Sequence, residues 1–556
     1  MPHGHHPSTG VALYFASDAY DPGRHGLNGR RVAGQSFLTG YLRHMGEGPV
    51  TLCVDTAQGA RAAQEFCEKV SPGRPLRIVP TYGPEMAAIG TMYYPALSLA
   101  ERAWARMPRG QAAWSLCGIT HTTATRGSMA HVAQLGIAPL EPWDAVICTS
   151  RAVQSGVQTQ LALVEEYLGR RLPGAAPPPR PMTEVIPLGI DTAAFAPDPA
   201  AGQRLRKDLG IGKDDVLCMV LSRLVPWGKF DPIPLYLSLQ KAAGLTGKRL
   251  HLALVGRLDV GARATDFTDP ARLMPDVTLH MLDGADPAVR KASLSGADLF
   301  LFPIDNLQET FGLAPIEAMA AGLPVIATDW DGLRDTVAPE AGFLIPTVTG
   351  DANHSRVESL RYLIGTDTEL HFQGLTASMT SYDTGLMAAR IAQLANDDDL
   401  RRKMGQAAQA HAIRVFDWAR VIPLMQDLWR RQNALRAAAS RAANTRYAGL
   451  EVPVLPSAFA AFAAWPSQRI TAGMLRVVAS PDAGRVGIDD ILTLRRQHEF
   501  KRGLEPDERL HRVLAALRAA SGPLTSGQMA KQLNMPVLAV ERVALWLVKY
   551  DLATLA

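Results

Sequence analysis

Two glutamates, Glu309 and Glu317, bracket the string Thr-Phe-Gly-Leu-Ala-Pro-Ile. The apolar residues 299–303 before them read as a buried strand, and 304–311 as a polar loop. Gly312 permits a tight turn with close backbone approach. Residues 313–321 have a helical pattern, which Gly322 and Pro324 end. The amides of Phe311, Gly312 and Leu313 then sit at a helix N-terminus on the carboxyl edge of a sheet, where open α/β proteins bind ligands. Free amides and a helix dipole suit an anion such as a diphosphate. Glu309 in the loop and Glu317 about one turn inside the helix face one ligand from two levels. Carboxylates accept paired hydroxyl hydrogen bonds, which a hexose or a ribose offers. A surface loop glutamate and an exposed helix glutamate would have the same spacing; the strand–loop–helix context favours the ligand reading.

A second group lies in Leu221-Ser-Arg-Leu-Val-Pro-Trp-Gly-Lys229. Arg223 closes an apolar strand, and Lys229 follows six residues later, past Pro226 and Gly228. Two cations in one loop at a strand's carboxyl end can neutralise a departing diphosphate; a solvated basic turn is the plainer alternative. A third lies in Gly118-Ile-Thr-His121-Thr. His121 follows a strand of the first half and could meet a sugar hydroxyl or an acceptor, or simply be satisfied by backbone.

The elements that must hold these groups alternate. Strand candidates of the first half are 11–15, 50–54, 114–120 and 145–149. Gly23, Gly26 and Gly29 form a loop after the first of them, and a helical pattern covers 34–44. Ser150 is placed to cap the helix after the fourth strand. Residues 172–182, rich in proline, exclude regular structure, and 185–191 reads as a strand running into a turn. A second series has strands at 216–221, 251–255, 277–281, 299–303, 324–328 and 342–345. Two Rossmann-like domains fit this better than one sheet. Their expected bounds are 1–190, on the acceptor side, and 191–395, binding the nucleotide.

Residues 347–380, polar and rich in Thr, Ser and Gly, look like an insertion. Helical periodicity resumes at 384–442, with helices of 396–450 expected to return to the first domain. Asp397, Asp398 and Asp399 read as a solvated turn favouring the next helix N-terminus rather than a metal cluster. After a Pro/Ala-rich break at 452–466, residues 467–556 carry 13 Lys/Arg and 9 Asp/Glu. Helices at 510–519, 525–533 and 537–550, with a turn at 534–536, resemble a winged-helix module. The third helix has only Arg542 and Lys549 as cations, too few for a DNA reader. Protein contact or self-association fits it better.

With 556 residues the chain needs two or three domains. Hydrophobic residues at 47% and charged residues at 20% place it among soluble globular chains. A net charge of +4 does not call for a nucleic-acid partner, though a local basic face could touch an anionic membrane. Cys53, Cys67, Cys117, Cys148 and Cys218 are odd in number and form no CxxC pair. That excludes a zinc ribbon and argues for a reduced, cytoplasmic setting. His3, His5 and His6 read as a polar tail, no leader is evident, and no run approaches the roughly 20 apolar residues of a membrane span.

Together these residues make the sequence resemble the retaining, two-Rossmann (GT-B) glycosyltransferases often called family four, from about residue 10 to 440. Glu309 and Glu317 match that family's E-x7-E motif, Arg223 and Lys229 its diphosphate-binding pair, and His121 the histidine of its first domain. Val185-Ile-Pro-Leu-Gly-Ile-Asp191 matches its interdomain linker, and Ala145–Ser150 its "D.v…S" strand, here Asp144-Ala-Val-Ile-Cys-Thr-Ser150. The resemblance implies transfer of a hexose from a nucleotide-diphosphate sugar to a glycan, lipid or small-molecule acceptor. Glu309 would meet donor-sugar hydroxyls and Glu317 the ribose. Arg223 and Lys229 would hold the diphosphate, and the amides of Phe311, Gly312 and Leu313 would line the sugar–phosphate region. His121, Arg223, Lys229 and Glu309 are the expected catalytic groups, and Gly29 an added donor contact. The family implies no metal and no cofactor, retention by front-face attack with the leaving phosphate as base, and a cytoplasmic enzyme that could sit at the membrane's inner face.

The sequence departs from the family in places. Trp330-Asp-Gly-Leu-Arg-Asp335 replaces Gly-Gly-x-Pro-Glu, and the first glycine loop is spaced. The 347–380 insertion and the last ninety residues lie outside the common pattern. Acceptor choice is expected mainly from the first domain. Two other functions remain open: an inert transferase-like scaffold or regulator acting through its C-terminal helix-turn-helix module, and epimerisation or phosphorolysis on the same fold.

Overall fold

A computed structural model describes residues 10–16, 20, 29–259, 261–481, 487–496 and 505–556, with the side chains of 29–32 and 496 excepted. His3, His5, His6, Gly23 and Gly26 lie outside the described residues. By internal contacts the chain divides into Met1–Val454 and Leu455–Ala556.

The first unit contains two parallel sheets. One is built from β1 (Val11–Tyr14), β2 (Val50–Val54), β3 (Leu76–Pro80), β4 (Thr91–Tyr93), β5 (Ser115–Ile119), β6 (Ala145–Cys148) and β7 (Met182–Val185), in the order β3-β2-β1-β4-β5-β6-β7. The other comprises β8 (Val216–Leu221), β9 (Leu250–Gly256), β10 (Val277–Asp283), β11 (Leu299–Phe302), β12 (Val325–Thr328) and β13 (Gly342–Ile345), in the order β10-β9-β8-β11-β12-β13. Their central strands are continuous apolar runs because helices cover both faces. Every residue of β2, β5, β6, β8 and β11 is buried. The expected pair of Rossmann-like domains is therefore present.

Several local expectations change. β3 and β4 were not anticipated: β3 carries Arg77 and ends in Pro80, and β4 has only three residues, too few for a period to show. The strand expected at 185–191 is instead β7, paired with β6 from Ala145↔Met182 to Cys148↔Val185. It stops before Pro187, which has no N–H for the ladder. Beyond it Ile190 bridges Asp417. The helix expected at 34–44 spans Gly29–His44, starting five residues earlier than its apolar pattern suggests.

The 347–380 segment is folded. β14 (Thr347–Val348) and β15 (Ser381–Tyr382) pair antiparallel at its base. Helices Arg356–Leu363 and Glu369–Ala377 follow, with the Tyr362 and Phe372 rings stacked at 4.6 Å. Asp367, Gln373 and Thr376 are buried there beside those rings. A core this small and polar gives little periodic signal.

Helices Thr384–Asn396, Asp398–Phe416 and Trp418–Ala437 complete the unit. Asp397 caps the second, accepting from the Leu400 amide at 2.8 Å, and Asp398 pairs with Lys248 at 2.6 Å. The third packs on the first sheet: Trp418, Ile422, Leu428 and Trp429 join Val11, Phe37 and Tyr41 in one buried cluster. Gln432 Nε2 donates to the carbonyls of Leu116 and Trp143 at 2.9 and 3.0 Å.

Under the first sheet lies an ion pair wholly out of water. Arg106 donates twice to Asp144, both at 2.7 Å, with both side chains 0% exposed. The Asp144 oxygens also accept from the amides of Leu116 and Glu141, each at 2.8 Å. Desolvating two charges is costly, and bidentate geometry with two further donors offsets the cost.

The second unit has β16 (Arg476–Ala479), β17 (Leu524–Thr525) and β18 (Ala553–Leu555) in the order β17-β16-β18, with helices Ile488–Arg496, Asp507–Ala519, Ser526–Leu533 and Val537–Lys549. Asn534, at φ 49°, makes the turn between the last two helices. Helix, turn and helix lie as expected, but β18 pairs antiparallel with β16, which precedes the first helix. Val540, Val543, Ala544 and Leu547 of the last helix are buried, and its Arg542 pairs with Glu505 at 2.5 Å.

Candidate functional site

The carboxyl edges of both parallel sheets open on one cleft of about 860 Å³, the size range of small-molecule sites. From β8 come Ser222 and Arg223; from the β11 loop come Gln308, Glu309, Thr310 and Phe311; from β5 come His121 and Thr122.

The turn into helix Leu313–Ala320 rests on Gly312, which adopts φ +90° as the helix cap. A Cβ there would stand 2.7 Å from Leu333 Cδ2. Gly332 is equally confined, since a Cβ would fall 2.4 Å from the Thr310 carbonyl oxygen. The 310–313 turn is thus pressed against the turn containing Asp331, itself at φ 43°. No side chain caps the helix, so its first amides face the cleft with the positive end of the dipole.

Lys229 Nζ makes an ion pair with Glu309; the two side chains are 20% and 11% exposed. The same ammonium lies 5.7 Å from the centroid of the Phe302 ring. Arg223 pairs with Asp259 at 2.6 Å with its side chain 60% exposed, so it stands at the mouth. Arg257, just past β9, also lines the cleft. Sequence reasoning missed it, although a cation directly after a strand of the same sheet is the signal that singled out Arg223. Three cations and a helix N-terminus thus surround a space that can take a doubly charged anion, with a carboxylate within reach for hydroxyls.

Glu317 and Gly29 are placed differently. Glu317 forms an ion pair with Arg290 at 3.1 Å and is 14% exposed. Burial pushes its carboxyl up, with Arg290 opposing. Neither it nor Gly29 is among the residues lining the cleft. His121 is bonded to backbone and also faces the cleft. It lines the cleft, its Nε2 donates to the Pro95 carbonyl at 3.1 Å, and its own carbonyl accepts from Thr310 Oγ1 at 3.2 Å.

Other bonds join the two α/β domains of this unit. Thr122 Oγ1 donates to Gln308 Oε1, and the Arg126 amide donates to the Tyr362 hydroxyl at 2.9 Å. Asp335, from the string that departs from the family pattern, accepts from the Arg151 amide at 2.6 Å and from its Nε at 2.5 Å. Behind the cleft are two carboxyls with an unpartnered oxygen each, Asp305 and Asp331. Burial, aided by Asp231, pushes Asp305 up to about 7. Burial, aided by Glu309, pushes Asp331 up to about 7. Among the described residues no group of three His, Cys, Asp or Glu is placed to hold a metal, and no helix is long and apolar enough to cross a membrane.

Residues 203–361 match the family model described as glycosyl transferases group 1. The chain is 27% identical over 250 residues to a D-inositol 3-phosphate glycosyltransferase of Corynebacterium efficiens, covering 44% of this chain and 50% of that one. It is 32% identical over 188 residues to a GDP-mannose-dependent alpha-(1-6)-phosphatidylinositol monomannoside mannosyltransferase of Mycolicibacterium smegmatis, covering 32% of this chain and 46% of that one. The chain thus spans about half the length of the curated relatives it matches. Among solved structures, Anabaena HepE in complex with UDP aligns over 76% of this chain and 99% of its own, at 15% identity and a TM-score of 0.47.

Proposed function

From the premise that this chain carries a glycosyl transferases group 1 domain over residues 203–361, we propose that it moves a hexose from a nucleotide-diphosphate sugar to a hydroxyl-bearing acceptor, a glycan, lipid or small molecule. The observation that carries the reading is the Lys229–Glu309 pair beside an uncapped helix N-terminus, with Arg223 and Arg257 around the same cleft.

In this reading the diphosphate lies against the amides of Phe311, Gly312 and Leu313. Lys229 leaves Glu309 for the phosphates, and Arg223 and Arg257 complete the neutralisation. Charge fixed in advance where the leaving group gains it is what such a reaction needs. Glu309, freed from Lys229, accepts from donor-sugar hydroxyls. His121, whose ring is oriented by Pro95, meets the sugar from the first domain. Glu317 keeps the ribose-side role that its motif implies, reached by exchanging its bond to Arg290. Gly29 opens the helix behind the first-domain loop and is kept as a backbone contact. Retention by front-face attack, with the departing phosphate taking the acceptor's proton, requires no metal and no protein nucleophile.

The relatives, named as a D-inositol 3-phosphate glycosyltransferase and a phosphatidylinositol monomannoside mannosyltransferase, support a polyol or lipid-linked acceptor. All five cysteines are buried and unpaired, which supports a reducing, cytoplasmic setting, with acceptor access at the inner membrane face. Native mass spectrometry of the full chain with UDP-glucose, UDP-N-acetylglucosamine and GDP-mannose tests the reading. A one-to-one complex with one of them, weakened in Arg223→Ala, is expected. Failure of all three to bind would count against it.

A further inference from the structure

The segment 347–380 lies mostly beyond the family match, yet it reaches the cleft. Glu369, Leu370 and Gln373, all from helix Glu369–Ala377, form part of the cleft wall. They continue a chain of hydrogen bonds that begins in the first domain. Thr122 Oγ1 donates to Gln308 Oε1, Gln308 Nε2 donates to Glu369 Oε1 at 2.9 Å, and Gln373 Nε2 donates to the same oxygen at 2.9 Å. Gln308 is adjacent in sequence to Glu309, so the chain passes beside the Lys229–Glu309 pair. Gln373 is 5% exposed, and its helix packs closely on the loop below: Leu370 Cδ1 lies 3.1 Å from where a Gly228 Cβ would be. The segment also meets the first domain independently, through Arg126 and Tyr362.

Glu369 is therefore oriented from one side. Two amide donors converge on Oε1, and among the described residues no bond engages Oε2. A carboxylate fixed in this way is a hydroxyl acceptor. Its position is also informative. The cations and helix amides suited to the diphosphate belong to the second sheet's own loops, whereas the Glu369 chain runs to Thr122 of the first domain. A group bound against Glu369 lies where the two domains face each other. The carboxylate disfavours a phosphate at this spot and favours the uncharged, hydroxylated part of a molecule.

We propose that Glu369, held by Gln308 and Gln373, is a specificity-determining residue that recognises the hydroxyls of a neutral polyol or hexose moiety of the acceptor. The inserted segment is then part of the acceptor site. This rests on the transferase reading above. The test uses the full chain and two probes: UDP or GDP, followed by tryptophan fluorescence, and a set of myo-inositol, methyl α-D-mannoside and methyl α-D-glucoside, followed by saturation-transfer NMR in the presence of saturating nucleotide. At least one polyol should bind the wild type. Glu369→Ala should weaken it at least tenfold, with Gln373→Ala weakening it less and Glu369→Gln retaining part of the affinity. Nucleotide affinity should stay within twofold in all three variants, which also reports that the cleft is folded. Unchanged polyol affinity in Glu369→Ala, or a wild type that binds nucleotide but none of the polyols, overturns this inference alone. Joint weakening of nucleotide and polyol overturns it by moving Glu369 to the donor side. A wild type that binds neither nucleotide overturns the transferase reading beneath it.

Discussion

The two parallel sheets of the first unit use charge in opposite ways. Under the first sheet Arg106 and Asp144 neutralise each other out of reach of water, and their hydrogen bonds to each other and to the surrounding backbone serve the fold. At the carboxyl edge of the second, Lys229 and Arg223 are held near the solvent boundary with partners they could exchange, and Arg257 lines the same cleft. A charge that must stabilise structure is buried and held by several partners. A charge that must meet a ligand is kept pre-positioned and incompletely satisfied. Pairing alone thus says little about function; exposure and the number of donors around the carboxylate separate the two cases.

This contrast can be broken at several points. The largest effect is expected at Asp144. Asp144→Ala strands a buried guanidinium and should cost about 3–5 kcal/mol of unfolding free energy, read by denaturant melts, while nucleotide affinity of the folded fraction is unchanged. An intermediate effect is expected at Gly312. Gly312→Ala places a Cβ at φ +90° and against Leu333. It should cost about 1–3 kcal/mol and, unlike Asp144→Ala, should weaken nucleotide binding as the 310–313 turn shifts. A pH-dependent effect is expected from the two carboxyls behind the cleft. Asp305 and Asp331 sit near 7 when folded and near 4 when unfolded, so between those values the folded state holds protons that the unfolded state has lost. Stability should therefore fall as pH rises from about 4 to 7 and level off above that. Asp305→Asn should flatten that decline in thermal melts. A decline equally steep in the variant would show that Asp305 is not responsible.

The second sheet was legible in the sequence because its evidence is local. Most strands from 216 to 345 are compact apolar runs with turn residues at both ends, and Lys229, Glu309 and Gly312 belong to the loops that follow β8 and β11. Arg257 has the same kind of position and was passed over for want of a partner in the string. The first sheet was read incompletely. β4 is three residues long, and β3 carries a charge and a proline, so neither shows a period. The 347–380 segment was the least legible. It buries Asp367, Gln373 and Thr376 rather than an aliphatic stripe, and its contribution to the cleft depends on a hydrogen-bond chain from Thr122 through Gln308 that joins residues far apart in sequence. Glu317 is a different case. Its spacing from Glu309 suggested one shared ligand, but the structure also provides Arg290, from a separate helix, as its partner.

The most direct test of the central claim is nucleotide release. The purified protein is incubated with UDP-glucose, UDP-N-acetylglucosamine and GDP-mannose, with and without a polyol acceptor, and free UDP or GDP is quantified for the wild type and Lys229→Ala. One donor should be turned over, faster with acceptor, and Lys229→Ala should lower that turnover by about 100- to 1,000-fold, as expected for loss of one pre-positioned charge at the leaving group. Release in Lys229→Ala at the wild-type rate would contradict the account.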